Sequence, residues 1–153
     1  MHLDELDQRI LDELQRDARV ANAELARRLN LSPPAVHARV KRLEERGILR
    51  GYVALLDREQ LGFDMLCFIQ ISLQLHQVEQ VSHFRATIQQ IPEVLECHHV
   101  TGEYDYLLKI VVRNRQELER LIMKKLTPIP GVARIHTSLV FSEIKASTEL
   151  PLK

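Results

Sequence analysis

From Met65 to Phe141 the apolar residues change their spacing four times, and that order of periods admits few folds. Met65 to Leu75 (MLCFIQISLQL) alternates, with Cys67, Ile69, Ile71, Leu73 and Leu75 on one face and Gln70, Ser72 and Gln74 on the other. Strict alternation is the pattern of a strand buried on one face. Val78, Val81, Phe84, Ile88 and Ile91 then keep helical spacing, and Pro92 stops that helix. Val94 to Thr101 reads as a strand, Gly102 as a tight turn, and Tyr104 to Val112 as another strand. Leu118, Leu121, Ile122 and Leu126 return to helical spacing before Pro128 and Pro130. Finally Ala133, Ile135, Thr137, Leu139 and Phe141 alternate with Arg134, His136, Ser138 and Ser142. The order is β-α-β-β-α-β, a ferredoxin-like unit.

The first third has a different rhythm and reads as three helices. Leu3, Leu6, Ile10, Leu11 and Leu14 recur at helical spacing behind Asp4, a capping residue. Leu25, Ala26 and Leu29 mark a short second helix from Asn22, closed by Asn30, which tolerates the left-handed conformation. The third begins in LSPPAVHARVKRLE, residues 31–44. Ser32 caps it, Pro33 takes the first position, where no N–H is needed, and Pro34 stays within the first turn. Val36, Val40 and Leu43 form its apolar stripe, and Gly47 ends it. Ile48 to Leu56 (ILRGYVALL) reads as a strand, and 57–64 as a connector broken at Gly62. The expected organisation is α+β: a helix-turn-helix (winged-helix-like) domain over 1–47, a strand and linker over 48–63, and a ferredoxin-like domain over 64–153.

Overall charge is zero, but its distribution is not even. Residues 1–18 hold six acids against Arg9 and Arg16, net −4, whereas residues 19–50 hold eight bases against Glu24, Glu44 and Glu45, net +5. A basic segment hidden in a neutral chain is either a footprint for nucleic acid or a solvated helix face. Joined to a sharply capped basic helix after a short turn, it points to double-stranded DNA as partner. Ser32, Pro34, Ala35, His37 and Ala38 are expected at base edges, and Arg28, Arg39, Lys41 and Arg42 at phosphates. The small residues at 34, 35 and 38 permit close approach but offer few donors, so shape readout contributes. A three-helix protein-interaction module is the competing reading.

Other classes find less support. Cys67 and Cys97 stand alone in apolar segments, which predicts free buried thiols rather than a metal site. His98 and His99 are adjacent, and neighbours on a strand point to opposite faces. His98, His99, Glu103 and Asp105 lie near one turn, but no nucleophile–base pair or phosphate loop accompanies them, so an enzyme is not expected. The apolar runs are too short for a membrane span, and the acidic N-terminus has no apolar leader, which predicts a cytoplasmic, nucleoid-associated protein. No cofactor is expected.

Thr101-Gly-Glu-Tyr-Asp105 is the informative stretch of the second domain. Gly102 permits a turn that exposes backbone amides to a carboxylate, and Asp105 is placed to accept an ammonium. A free amino acid carries both groups. An ordinary hairpin with an acid at its mouth explains the same residues.

The stretch ANAELARRLNLSPPAVHARVKRLEERGILRGYVALLD resembles the N-terminal half of the Lrp/AsnC family, the leucine-responsive and asparagine-responsive transcription factors of bacteria and archaea. The likeness continues through ECHHVTGEYDYLLKIVV and PGVARIHTSLVFSEIK, so it covers essentially the whole chain. It implies a sequence-specific regulator whose C-terminal (RAM) domain binds a small effector, often an amino acid, in clefts between dimers. The matching positions are Thr101, Gly102, Tyr104 and Asp105 on the turn, and Ser138, Leu139 and Val140 on the last strand. The resemblance further implies homodimers, joined through the 48–56 strand, that assemble into octamers. An architectural DNA binder without an effector is the alternative. Residues 34, 35 and 37 fall at variable positions of the recognition helix, so the resemblance carries no operator sequence.

Overall fold

The computed structural model describes residues 3–74 and 77–152. They form two compact units, one of residues 1–55 with 145–153 and one of 56–144.

In the first unit, α1 (Glu5–Arg16), α2 (Asn22–Leu29) and α3 (Pro33–Glu45) form as their caps dictate. Asp4 accepts from the Asp7 N–H at 2.8 Å and Ser32 Oγ from the Ala35 N–H at 3.3 Å. Asn30 adopts φ 54°, ψ 45°, and the Leu31 N–H returns to the Ala26 carbonyl at 2.9 Å. That closes α2 and turns the chain into α3. Ile10, Leu11 and Leu14 of α1, Leu25 and Leu29 of α2, and Val36, Val40 and Leu43 of α3 meet in one core.

Two segments lie differently within the single chain, and neither carries a local signal. Residues 48–56 are not a strand: no described segment of the chain forms a ladder with them, and Val53 and Leu55 are each 80% exposed. Their β-rich composition describes a segment suited to pairing, not one that is paired. The tail from Lys145, expected within 64–153, packs with the first unit instead. The Gln15 side chain holds it like a short ladder, donating to the Leu150 carbonyl at 3.1 Å and accepting from the Leu150 N–H at 2.6 Å. Arg16 pairs with Glu149 at 3.3 Å, and Leu152 packs on the core.

The second unit is a four-stranded antiparallel sheet in the order β2-β3-β1-β4. Its strands are β1 (Met65–Leu73), β2 (Val94–His99), β3 (Tyr106–Val112) and β4 (Val132–Leu139). The crossovers are α4 (Val78–Gln89) and α5 (Arg115–Arg120), which runs on as a π-helical turn over Leu121–Leu126. This is the ferredoxin-like βαββαβ arrangement that the periods predict. Asn114 caps α5 by accepting from the Glu117 N–H at 3.0 Å, while Glu117 accepts from the Arg113 N–H at 2.9 Å. Cys67, Ile69 and Ile71 of β1 are fully buried beside Phe84, Leu108 and Ile110. Leu75, placed on the β1 alternation, lies outside the described residues. Cys67 is buried as expected; Cys97, expected buried as well, is exposed because β2 lies at the edge of the sheet. His98 and His99 do face opposite ways: His99 stacks on Tyr106 at 5.0 Å, and His98 meets Glu96 at 2.9 Å.

Candidate DNA-reading and effector sites

The caps and core of the first unit decide which residues of α3 are held out. With Val36, Val40 and Leu43 turned inward, Pro34, His37, Ala38 and Lys41 are exposed along the opposite side, preceded by exposed Ser32. Ala35 is half-buried. His37 Nδ1 lies 3.4 Å from the Asn22 amide, so α2 steadies its ring. The N-terminal half of α3 thus offers a low, narrow surface ahead of a basic residue, the shape a helix needs to enter a major groove.

The cations expected at phosphates are placed differently. Arg39 donates to Asp4 at 2.6 Å and to Asp7 at 2.7 Å, and Arg42 reaches both oxygens of Asp7 at 3.0 and 2.9 Å. Arg28 is tied to Glu13 at 2.5 Å and to Glu24 at 2.8 Å. Lys41 stays in solvent, 3.8 Å from an equally exposed Glu45. Arg46 and Arg50, just past the helix, are exposed, and among the described residues neither has a carboxylate partner. Much of the basic excess of residues 19–50 is therefore spent on the acids of α1 and α2. Charge counting along the chain missed this because the partners lie up to 35 residues apart.

These pairs set an acid limit on the unit. Arg27, with Arg28, holds the Glu24 carboxyl down from 4.5 to about 2, and Arg39 holds Asp4 below the usual carboxylate range. A carboxyl depressed in the folded state contributes stability above its unfolded value and loses it as pH falls through the folded one. The helical signal of the unit is expected to weaken as pH drops from about 4.5 to about 2. Glu24→Gln should shallow that slope in a circular-dichroism titration and leave the neutral-pH signal unchanged.

In the second unit the β2–β3 turn is built around Asp105. Its Oδ2 accepts from the Leu73 N–H at 2.7 Å, its own N–H donates to the Ile71 carbonyl at 3.0 Å, and its carbonyl accepts from Val100 at 2.9 Å. Gly102 takes φ +115°, a conformation L side chains rarely adopt, and Thr101, Gly102 and Glu103 are exposed. Asp105 therefore ties the turn to the end of β1, a role the sequence reading did not assign. Tyr104 lies beneath the Arg134 guanidinium, 5.0 Å from Cζ to the ring centre, with the His136 ring 6.2 Å away. Arg134 also bonds Glu103 at 2.9 Å and the buried Ser72 hydroxyl at 3.3 Å. Arg134 and His136 were missed, although their even spacing on an alternating strand puts them on one face.

The two halves of the expected effector site are anchored at different points of β1. The turn binds β1 at Leu73, which pairs with Val132 of β4. Ser138 and Leu139 pair with Phe68 and Cys67, and the Val140 N–H donates to Leu66. Leu73 and Cys67 are six residues apart on β1. At ~3.3 Å per residue Leu73 and Cys67 are about 20 Å apart, while the Tyr104 ring reaches toward β4 as far as His136, two residues before Ser138.

A helix-turn-helix unit joined to a ferredoxin-like unit that presents an exposed glycine turn is the build of a ligand-responsive transcriptional regulator. Comparisons with known proteins agree. Residues 3–50 match a winged helix-turn-helix DNA-binding domain, and residues 66–150 match the Lrp/AsnC ligand binding domain. The leucine-responsive regulatory protein of Salmonella typhimurium is 40% identical over 151 residues, 99% of this chain and 92% of that protein. Its Escherichia coli K12 counterpart is 39% identical over the same shares. Among solved structures, a Neisseria meningitidis transcriptional regulator in complex with L-Met superposes with a TM-score of 0.95 at 37% identity, covering 99% of this chain and 97% of that one. E. coli AsnC superposes with a TM-score of 0.90 at 30% identity, over 99% and 100%. The chain belongs to the Lrp/AsnC family and is a DNA-binding transcriptional regulator with a ligand-binding domain. Among the described residues, no helix is long and apolar enough to cross a membrane.

Proposed function

We propose that this chain reads operator DNA with the exposed face of α3 in paired copies, and that an amino acid bound between copies tunes it. Ser32, Pro34, Ala35, His37 and Ala38 face base edges, and Lys41 faces phosphate. The effector lies where Thr101, Gly102, Tyr104 and Asp105 of one copy approach Ser138, Leu139 and Val140 of another. The observation that carries this reading is the exposed Thr101–Gly102–Glu103 turn, with Gly102 at φ +115° and the Arg134 guanidinium over Tyr104. An amino acid seated across a subunit boundary links binding to assembly. The L-Met complex of the Neisseria relative supports an amino acid as the ligand class. Arg134, beside the turn, supplies a cation for a carboxylate. The exposed 48–56 segment pairs with its equivalent in a second copy, and dimers join into octamers. The protein is a non-enzymatic regulator of the cytoplasm, acting on the nucleoid.

Light scattering across the single amino acids tests this directly. The expected result is a mass of several subunits that changes with one amino acid. The same amino acid should raise stability by about 2.7 kcal/mol at a hundredfold excess over its Kd. An unchanged mass and an unchanged melting temperature with every amino acid would favour an architectural DNA binder instead.

A further inference from the structure

Asp7 is 3% exposed, and its carboxylate sits against two guanidiniums of the recognition helix. Arg39 and Arg42 are three residues apart, so both project from one flank of α3: Arg39 lies beside the Val36, Val40 and Leu43 stripe, and Arg42 lies one turn past Ala38, between that stripe and the exposed face. Asp4, which caps α1, fixes Arg39 from the other side at 2.6 Å and also accepts the Asp7 N–H at 2.8 Å. One oxygen of Asp7 receives both arginines, and the other receives Arg42. An apolar stripe alone lets a helix roll by small angles, because dispersion and burial are not directional. Charge-assisted bonds to a fixed carboxylate are directional and remove that freedom.

We infer that Asp7 is a positioning residue for sequence readout: through Arg39 and Arg42 it sets the roll of α3, and with it where His37 and Ala38 meet the base edges. This rests on the DNA-reading function proposed above. The clamp accounts for a buried acid in a protein whose partner is a polyanion, a placement that works against affinity unless it serves geometry. It also separates the roles of the bases of α3: Lys41 serves phosphate contact, whereas Arg39 and Arg42 serve orientation.

Asp7→Asn keeps the shape and one acceptor but removes the charge. Two duplex probes are used at several salt concentrations: a sequence the wild-type protein enriches from a random pool, and a mixed-sequence duplex of equal length. Non-specific binding follows the cationic charge of the protein, which Asp7→Asn does not reduce. The expected result is a loss of at least about tenfold on the enriched sequence, with mixed-sequence binding equal to wild type or tighter. Arg42→Gln leaves Asp7 bonded to Arg39 and provides a second, milder variant. It should lower selectivity without changing the salt slope. A salt slope reduced by about one in Arg42→Gln would mean that this arginine contacts phosphate, and would overturn the assignment. Parallel losses on both probes in Asp7→Asn, or none on either, would overturn it as well. A wild-type chain that enriches no sequence would overturn the operator reading itself, and this inference with it.

Discussion

Phe84→Ala is expected to lower the unfolding free energy of the ferredoxin-like unit by about 3–5 kcal/mol, the largest effect of any single truncation considered. Phe84 is fully buried on α4, and its ring lies 4.5 Å from that of Tyr106 on β3. It joins the helix layer to the central strands, with Ile69, Ile71 and Leu108 packed into the same core. Truncation removes the aromatic contact and leaves a cavity that a sheet tied on both sides collapses into only partly. Urea unfolding followed by hydrogen exchange shows the loss by unit. Amides of β1 and β3 should exchange faster, while those of α1–α3 hold their rates. A change below about 1 kcal/mol would mean that the core is not organised around this ring.

Asp105→Ala is expected to cost about 1–3 kcal/mol, because the Leu73 N–H loses its carboxylate acceptor where β1 ends. A residue that serves only the effector would leave stability untouched. Asp105→Asn separates the two roles. It retains an acceptor for Leu73, so thermal melting should return close to wild type. It removes the charge available to an ammonium, so the change of assembly with amino acid should disappear. If Asp105→Asn melts normally and still responds to the amino acid, the effector's ammonium is held elsewhere.

Legibility in the sequence followed the range of each interaction. Periods and caps are local, and so the ferredoxin-like order, the Ser32-Pro33 helix start and the Asn30 turn could all be read from a few neighbouring residues. The 48–56 segment misled because alternation and β-propensity describe a side-chain surface, whereas a strand also needs a partner backbone. The charge asymmetry did not reveal where its cations are held. Asp4 and Asp7 are three apart on α1, and Arg39 and Arg42 are three apart on α3. That matched spacing was the available signal, but only the packing of α1 on α3 turns it into a clamp. The effector residues resembled a family pattern without the register. Leu139 pairs with Cys67 while Asp105 bonds Leu73 and Ile71, so the two groups are anchored at different points of β1. Nothing along the chain marks Gln15 as the anchor of the tail.

The ionic contacts of the first unit should also change how its DNA affinity is read. With Arg28, Arg39 and Arg42 engaged by carboxylates, the basic charge counted over residues 19–50 overstates what is offered to phosphate. Few donors line the α3 face, so the operator reading proposed above leans on the duplex's shape and on paired copies holding two half-sites.

The most direct measurement is enrichment of duplexes from a random pool by the wild-type protein and by Ala38→Glu, which puts an acid on the exposed face of α3. The account predicts that the wild type enriches sites built from two half-sites about 10 base pairs apart, or a multiple of that, and that Ala38→Glu enriches none. Equal recovery of all sequences by the wild type, or the same enriched sites with Ala38→Glu, would contradict it.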